Sequence, residues 1–155
     1  MKRIKLAAAA LNQTPIAWNQ NYENILSAIH QAQTQRVDLL CLPELCISGY
    51  GCEDAFMAGG VLDTSLDILK SLIEHTQGIA VAIGLPVAVE GQTYNAVAMV
   101  ADGELLGFVA KQNLAGDGLH YEPRWFTPWK VGQKTSMAVG AVSYTHLTLP
   151  TIYSV

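Results

Sequence analysis

Two kinds of hydrophobic pattern alternate along the chain. Short continuous apolar runs over residues 4–11, 37–42 and 79–87 are typical of strands buried on both faces of a sheet. Between them, apolar residues recur at helical spacing over residues 22–35 and 62–73, with polar residues on the other side. A strand, a helix and a second strand joined by short connections predict that the two strands run parallel.

The later strands follow a different pattern. Residues 94–100 and 105–110 are apolar, and the Asp102-Gly103 pair between them is a hairpin signal. We therefore expect these two strands to be antiparallel. The pattern as a whole predicts an α/β fold whose sheet is parallel first and antiparallel afterwards.

Composition and charge narrow the class of protein. Half of the 155 residues are apolar and 14% are charged, which is typical of a packed globular domain. The net charge of −4, without a run of like charges, indicates neither nucleic acid nor a membrane as partner. The three cysteines, Cys41, Cys46 and Cys52, include no Cys-x-x-Cys pair. They predict no disulfide framework and no zinc site, and they suit a reducing cytoplasm.

Glu44 and Lys111 each follow the end of an apolar strand. Pro43 cannot donate to a sheet ladder, so the strand ends there and Glu44 lies at its carboxyl end, where α/β folds usually bind ligands. Lys111 precedes a long loop over residues 112–130 that is rich in glycine, proline and aromatic residues. Taken singly, Glu44 is better explained as a residue that caps the next turn or pairs with a surface base, and Lys111 as a solvated residue at a strand end. The loop by itself could be one that packs its own aromatics. Their combination favours a functional site.

The last fifteen residues differ from the rest of the chain. Residues 141–155 are rich in Thr, Ser and Tyr, contain no Asp, Glu, Lys or Arg, and show no clear period. We therefore expect residues 1–140 to form the domain and residues 141–155 to be a non-native tail. An ordinary β-rich terminus is the alternative.

Four segments together resemble a known family. They are Pro43-Glu44-Leu45, Gly49-Tyr50, Lys111 and Glu122-Pro123-Arg124-Trp125-Phe126. In this order they resemble the carbon–nitrogen hydrolase (nitrilase) superfamily. Over residues 43–54 and 114–129 the chain is most similar to the glutaminase domain of the glutamine-dependent NAD synthetases. The resemblance implies an α-β-β-α sandwich of the nitrilase type, incomplete at the C-terminus.

The resemblance further implies amide hydrolysis by a Glu-Lys-Cys triad. Glu44 matches the carboxylate that moves protons, and burial at the strand end is expected to raise its pKa toward the working range. Lys111 matches the cation that faces the tetrahedral oxyanion. Glu122 matches a second glutamate that holds the lysine and supports the general base. Substrate contacts are expected from three aromatic residues, Tyr50, Tyr121 and Phe126.

One part of the family pattern is missing. The nucleophilic cysteine should lie downstream of the long loop, but no cysteine occurs after Cys52. Cys41 is expected to be a buried core thiol, and Cys46 and Cys52 belong to the glutamate segment. The chain by itself is therefore expected to have little or no glutaminase activity.

The resemblance also implies partners. Glutamine is the expected substrate, and a synthetase domain outside this chain would bind ATP and magnesium and amidate deamido-NAD. The chain itself is expected to hold no cofactor and no metal, and to form homo-oligomers, as members of this superfamily usually do. Two alternatives stay open: a free-standing nitrilase-type amidase acting on another small amide, and a non-catalytic domain that keeps the fold without the nucleophile.

Overall fold

The computed structural model describes residues 3–133, 135–139 and 142–144. A 3₁₀ segment follows β2, and one short helix lies within the long loop. The elements in chain order are β1 (Leu6–Ala8), α1 (Trp18–Thr34), β2 (Leu39–Cys41), the 3₁₀ segment (Tyr50–Met57), α2 (Gly59–Ile73), β3 (Ala80–Val89), β4 (Gln92–Ala101), β5 (Glu104–Ala110), α3 (Glu122–Trp125), β6 (Met137–Val139) and β7 (Val142–Tyr144).

Five strands form one mixed sheet in the order β1-β2-β3-β4-β5. The first three strands are parallel, and β3, β4 and β5 are antiparallel neighbours. Glu90-Gly91 and Asp102-Gly103 connect the antiparallel strands, and all four residues have positive φ, as a type I′ hairpin turn requires. The predicted change from parallel to antiparallel pairing is confirmed. β6 and β7 form a separate antiparallel pair.

The helices cover one face of the sheet. On this face, alternate residues of β3 stand opposite alternate residues of β4, and their side chains are buried. The buried strand residues belong to one apolar cluster with residues of α1 and α2. The cluster includes Val81, Ile83, Leu85, Ala96, Ala98 and Val100 from the sheet, Ile25 and Ile29 from α1, and Leu69 and Leu72 from α2.

The opposite face is less covered, and two predictions are wrong there. The run over residues 4–11 predicts a strand buried on both faces, yet β1 spans three residues and Leu6 is 68% exposed. Cys41, expected in the core, is exposed. Its neighbour Leu40 points toward the helices and is 2% exposed, so Cys41 points the other way. An apolar run does not indicate which face a neighbouring layer covers.

A second, smaller apolar cluster lies under the segment that follows β2. It joins the 3₁₀ segment, the start of α2 and α3 through Leu45, Cys52, Phe56, Val61 and Phe126. Among the residues described here, no helix has both the length and the apolar character needed to cross a membrane. The tail predicted at residues 141–155 lies outside the described residues, apart from the three residues of β7.

Candidate active site

Glu44 lies in a turn that presses against the central strand of the sheet. Leu45 has a positive φ of 51°, and the backbone from Pro43 to Leu45 passes directly over Gly84 of β3. A Cβ at Gly84 would stand 2.5 Å from the Leu45 nitrogen and 2.6 Å from the Pro43 oxygen. Glycine is therefore required here because the turn approaches the strand closely.

The turn brings Glu44 to Lys111, although the two residues lie 67 positions apart. Lys111 Nζ donates to Glu44 Oε1 over 2.7 Å and contacts both carboxylate oxygens of Glu122, at 3.0 Å and 2.9 Å. The three residues to which the family resemblance assigns catalytic roles thus meet in one network, which we call the trio. Glu44 was predicted to be buried, and this is wrong: its side chain is 42% exposed. The side chain of Lys111 is 30% exposed.

Glu122 is the anchor of the trio. Its side chain is 1% exposed and accepts hydrogen bonds from the Ala115 N–H (2.7 Å), the Tyr50 hydroxyl (3.0 Å) and Lys111. Burial alone favours the neutral acid, but these three donors outweigh it and lower the pKa of Glu122. For Lys111, burial acts against the charge, and the hydrogen bonds to Glu44 and Glu122 outweigh it and raise its pKa. Glu122 and Lys111 are therefore both charged at neutral pH.

The predicted substrate-contact residues occupy three different environments. Tyr50 is 38% exposed. Its hydroxyl donates to Glu122 and lies 3.3 Å from His120 Nδ1. Burial and the nearby Glu122 raise the pKa of Tyr50 to about 12, so its hydroxyl stays protonated and donates. Tyr121 is 60% exposed beside the site, whereas Phe126 is buried beneath it, 4.9 Å from the Phe56 ring centroid. The structure therefore joins Tyr50 to the trio and leaves the roles of Tyr121 and Phe126 as predictions.

Side-chain hydrogen bonds join the 3₁₀ segment, which carries Tyr50, to α3, which carries Glu122. Asp54 accepts from Arg124 Nε (2.7 Å) and Nη2 (2.8 Å), and also from Trp125 Nε1 (2.9 Å). The Arg124 and Trp125 donors hold the pKa of Asp54 well below its usual value. Among the described residues, Arg124 is thus the ion partner of Asp54 and not of Glu122.

Asn95 also belongs to the site and was not predicted from the sequence. This residue of β4 is 4% exposed, and its Nδ2 donates to Glu44 Oε1 over 2.6 Å. Its signal was available, because it is the polar residue within the apolar stretch from Tyr94 to Val100. A buried amide needs a hydrogen-bond partner. Here the partner is the carboxylate to which the sequence assigns proton transfer.

The cysteine thiols are placed away from the trio's hydrogen bonds. Cys46 Sγ contacts the Gly84 carbonyl, and Cys52 Sγ contacts the Ser48 and Gly49 carbonyls. Burial raises the pKa of Cys46 to about 12 and also raises that of Cys52. Both thiols are therefore protonated at neutral pH, which does not suit a nucleophile. All three cysteines are free.

The chemistry of the site follows from its donors and charges. A fixed ammonium group between two carboxylates, one buried and one partly exposed, can stabilise a developing oxyanion while the exposed carboxylate transfers protons. No group of three or more His, Cys, Asp or Glu side chains in the described part of the chain is arranged to hold a metal ion. The network therefore places a fixed positive charge and a proton acceptor side by side.

Comparison with known proteins identifies the family. Residues 5–153 match the carbon-nitrogen hydrolase family, and the chain belongs to it. The match runs past residue 140, and the domain boundary expected there stays a prediction.

Several relatives are glutamine-dependent NAD(+) synthetases. The chain is 38% identical over 128 residues to the protein of Saccharomyces cerevisiae and 33% identical over 132 residues to that of Arabidopsis thaliana. These alignments cover 81% and 84% of this chain but 18% of each relative. The chain therefore spans about a fifth of the length of the curated relatives it matches.

Solved structures agree with the family. The crystal structure of a glutamine-dependent NAD(+) synthetase from Cytophaga hutchinsonii superposes with a TM-score of 0.89 and 46% identity, covering 92% of this chain and 24% of that one. An amidase from Nesterenkonia sp. shares the fold, with a TM-score of 0.71 and 21% identity over 93% of this chain and 54% of that chain. The α/β fold of the nitrilase type that the sequence predicts is confirmed.

Proposed function

We propose that this chain is the N-terminal part of a glutamine amide hydrolase domain that supplies ammonia for the ATP-dependent amidation of deamido-NAD to NAD. The observation that carries the proposal is the position of Lys111, whose ammonium group lies within 3.0 Å of carboxylate oxygens of both Glu44 and Glu122. These contacts hold the ammonium charge beside Glu44, where it would face the oxygen of a bound substrate.

In the proposed reaction, Glu44 takes the proton of a cysteine thiol, and the thiolate attacks the side-chain amide carbon of glutamine. The negative charge that forms on the amide oxygen faces Lys111. Glu44 then gives its proton to the departing nitrogen, so that the C–N bond breaks and ammonia leaves. Finally Glu44 removes a proton from water, which cleaves the thioester to glutamate and restores the thiol.

Glu122 has a distinct task in this scheme. When Glu44 holds a proton, it no longer offers Lys111 a negative charge. Glu122, buried and held by Ala115 and Tyr50, keeps the ammonium group charged and in place at that moment. The second carboxylate therefore supports oxyanion stabilisation while the first is neutral.

The nucleophile must come from another part of the same protein. Cys46 and Cys52 are buried thiols bonded to backbone carbonyls, and Cys41 lies on the exposed face of the sheet. We therefore propose that these 155 residues alone have little or no glutaminase activity. A synthetase domain in the same protein would bind ATP and magnesium, and the free thiols suit a cytoplasmic location.

The choice of glutamine and of NAD synthesis is supported by the relatives, which are named glutamine-dependent NAD(+) synthetases. The match to the Cytophaga hutchinsonii structure, at 46% identity, supports it further. Homo-oligomerisation, expected from the family resemblance, is part of the same proposal.

The test uses the full-length protein of which we propose this chain to be a part. The variant Glu44→Gln should abolish NAD formation with glutamine as nitrogen donor and leave NAD formation with ammonium chloride unchanged. Glu23→Gln is the matched control, because Glu23 is an exposed residue of α1, and it should change neither activity. Glutamine use retained by Glu44→Gln would refute the assigned role. A wild-type protein that hydrolyses another small amide but not glutamine would instead support the free-standing amidase.

A further inference from the structure

Asn95 is the buried polar residue that contacts the proposed general base. It lies on β4, on the sheet face that carries Gly84 and turns away from the helices, since Gly84 stands opposite Val97 and Pro86 opposite Asn95. Its Nδ2 donates to Glu44 Oε1 over 2.6 Å, a shorter distance than most N–H···O hydrogen bonds have. A carboxylate only accepts, so the orientation of the amide is set by this contact.

Two donors converge on one oxygen of Glu44. Asn95 Nδ2 and Lys111 Nζ both contact Oε1, at 2.6 Å and 2.7 Å. Among the described residues, no hydrogen bond reaches Glu44 Oε2. The two oxygens therefore differ, because Oε1 is held by the protein and Oε2 is available to a reacting group.

We propose that Asn95 is a positioning residue that fixes Oε1 of Glu44 as the anchored oxygen and so makes Oε2 the oxygen that accepts the thiol proton and returns it to the leaving nitrogen. This inference rests on the proposed function. The proton balance is closed, since the proton moves from sulfur to Oε2 and then from Oε2 to the amide nitrogen, which departs as ammonia.

The backbone of Asn95 holds the other half of the site. Its carbonyl accepts the N–H of Lys111 over 2.8 Å at the end of β5. One residue thus binds the carboxylate through its side chain and the strand end that carries the lysine through its main chain. A change at Asn95 that keeps the backbone should therefore affect Glu44 and leave the attachment of Lys111 intact.

An amide suits this position for a chemical reason. It donates a hydrogen bond without adding charge, so Glu44 stays negative and able to accept a proton. A second ammonium group here would weaken its basicity, and a carboxylate would repel it. Leucine resembles asparagine in size but has no donor, and aspartate has its shape but donates only when protonated.

The test compares Asn95→Leu and Asn95→Asp with Asn19→Leu and Asn19→Asp in the full-length protein. Asn19 is an exposed residue of α1 and serves as the matched control. Each variant is measured for kcat and KM of glutamine hydrolysis across pH, for NAD formation from ammonium chloride, and for thermal unfolding. Ammonia-dependent NAD formation reports whether the protein is intact apart from this site.

Asn95→Leu should lower kcat roughly 10- to 100-fold with KM changed less than threefold, as expected for one lost hydrogen bond to a charged group. Asn95→Asp should lose at least as much at neutral pH. Its kcat relative to wild type should rise as the pH falls, because the introduced carboxyl then becomes a donor. Asn95→Leu should show no such rise, and the Asn19 variants should match wild type.

Two results separate failure of this inference from failure of the proposed function. If the wild-type protein does not hydrolyse glutamine, the proposed function is wrong, and this inference with it. If the wild type is active but Asn95→Asp keeps kcat within twofold of it at neutral pH, only the positioning role is refuted. A pH-independent loss in Asn95→Asp equal to that in Asn95→Leu would also refute it, since that pattern indicates a packing defect. If Asn95→Leu fails to fold, Asn95→Asp alone decides.

Discussion

Gly84 offers the sharpest test of how the fold positions Glu44. In Gly84→Ala the new Cβ would lie 2.5 Å from Leu45 N, 2.6 Å from Pro43 O and 3.0 Å from Glu44 C. All three are backbone atoms, so no side chain can rotate away to relieve the contact. Ordinary van der Waals contact begins at 3.4 Å, and the turn must therefore retreat by about 0.9 Å from its present position.

The contact between Glu44 and Lys111 is short and tolerates little movement of the turn. A shift of about 0.9 Å away from Lys111 would lengthen the 2.7 Å contact to roughly 3.6 Å, beyond hydrogen-bond range. Overpacking of this kind costs about 1–3 kcal/mol. We expect the urea midpoint of this variant to fall by about 1 M, for a slope near 2 kcal/mol per M.

The assay is urea unfolding followed by circular dichroism, with Gly60→Ala as the control. Gly60 lies in α2 with no atom within 4 Å of its added Cβ. Alanine there should leave the stability unchanged or raise it by up to about 1 kcal/mol. Gly84 does not position Glu44 in this way if Gly84→Ala unfolds at the same midpoint as Gly60→Ala, or if a structure of Gly84→Ala shows Glu44 still bonded to Lys111.

Three further predictions concern charge and exposure. Because the pKa of Glu122 is lowered in the folded state, its contribution to stability is present above the unfolded value of about 4.3 and is lost as the pH falls through the folded value. Urea midpoints measured from pH 7 down to pH 2 should therefore fall less steeply for Glu122→Gln than for wild type; equal slopes would contradict this. Lys111→Met should lower the free energy of unfolding by on the order of 2 kcal/mol, less than for a fully buried pair because Lys111 is 30% exposed. Lys70→Met, in an exposed ion pair, should cost under about 1 kcal/mol in the same urea titration. A thiol-alkylating reagent at neutral pH should modify Cys41 alone in the folded chain and all three cysteines in urea, as counted by mass spectrometry; rapid labelling of Cys46 would contradict the burial described here.

Residues of the site could be predicted from the sequence where a local pattern marks them. Glu44 and Lys111 each follow an apolar strand, and strand ends meet at one edge of a sheet, so their meeting follows from topology. Glu122 required the family resemblance, because a glutamate in a loop has no period to place it. Tyr50 was expected to contact the substrate, which stays a prediction; its hydrogen bond to Glu122 was not foreseen.

The features that could not be predicted depend on contacts between segments that are far apart in the sequence. The exposure of Cys41 follows from what lies over one sheet face, and a strand pattern does not encode that. Asn95 and Gly84 contact residues far away in the sequence. Asn95 binds the carboxylate of Glu44, 51 residues before it, and Gly84 packs against a turn about 40 residues before it. An asparagine or glycine in a strand is compatible with many roles until the partner is placed beside it.

The two glutamates of the trio illustrate why residue type alone does not assign a role. Both contact the same ammonium group, yet Glu122 is 1% exposed with each oxygen bonded, while Glu44 is 42% exposed with Oε2 left open. A proton added to Glu122 would break its hydrogen bonds with Ala115, Tyr50 or Lys111, whereas a proton added to Oε2 of Glu44 breaks none among the described residues. This difference supports the roles proposed above, proton transfer for Glu44 and charge retention for Glu122. The division follows from the number of donors around each carboxylate, which the fold sets.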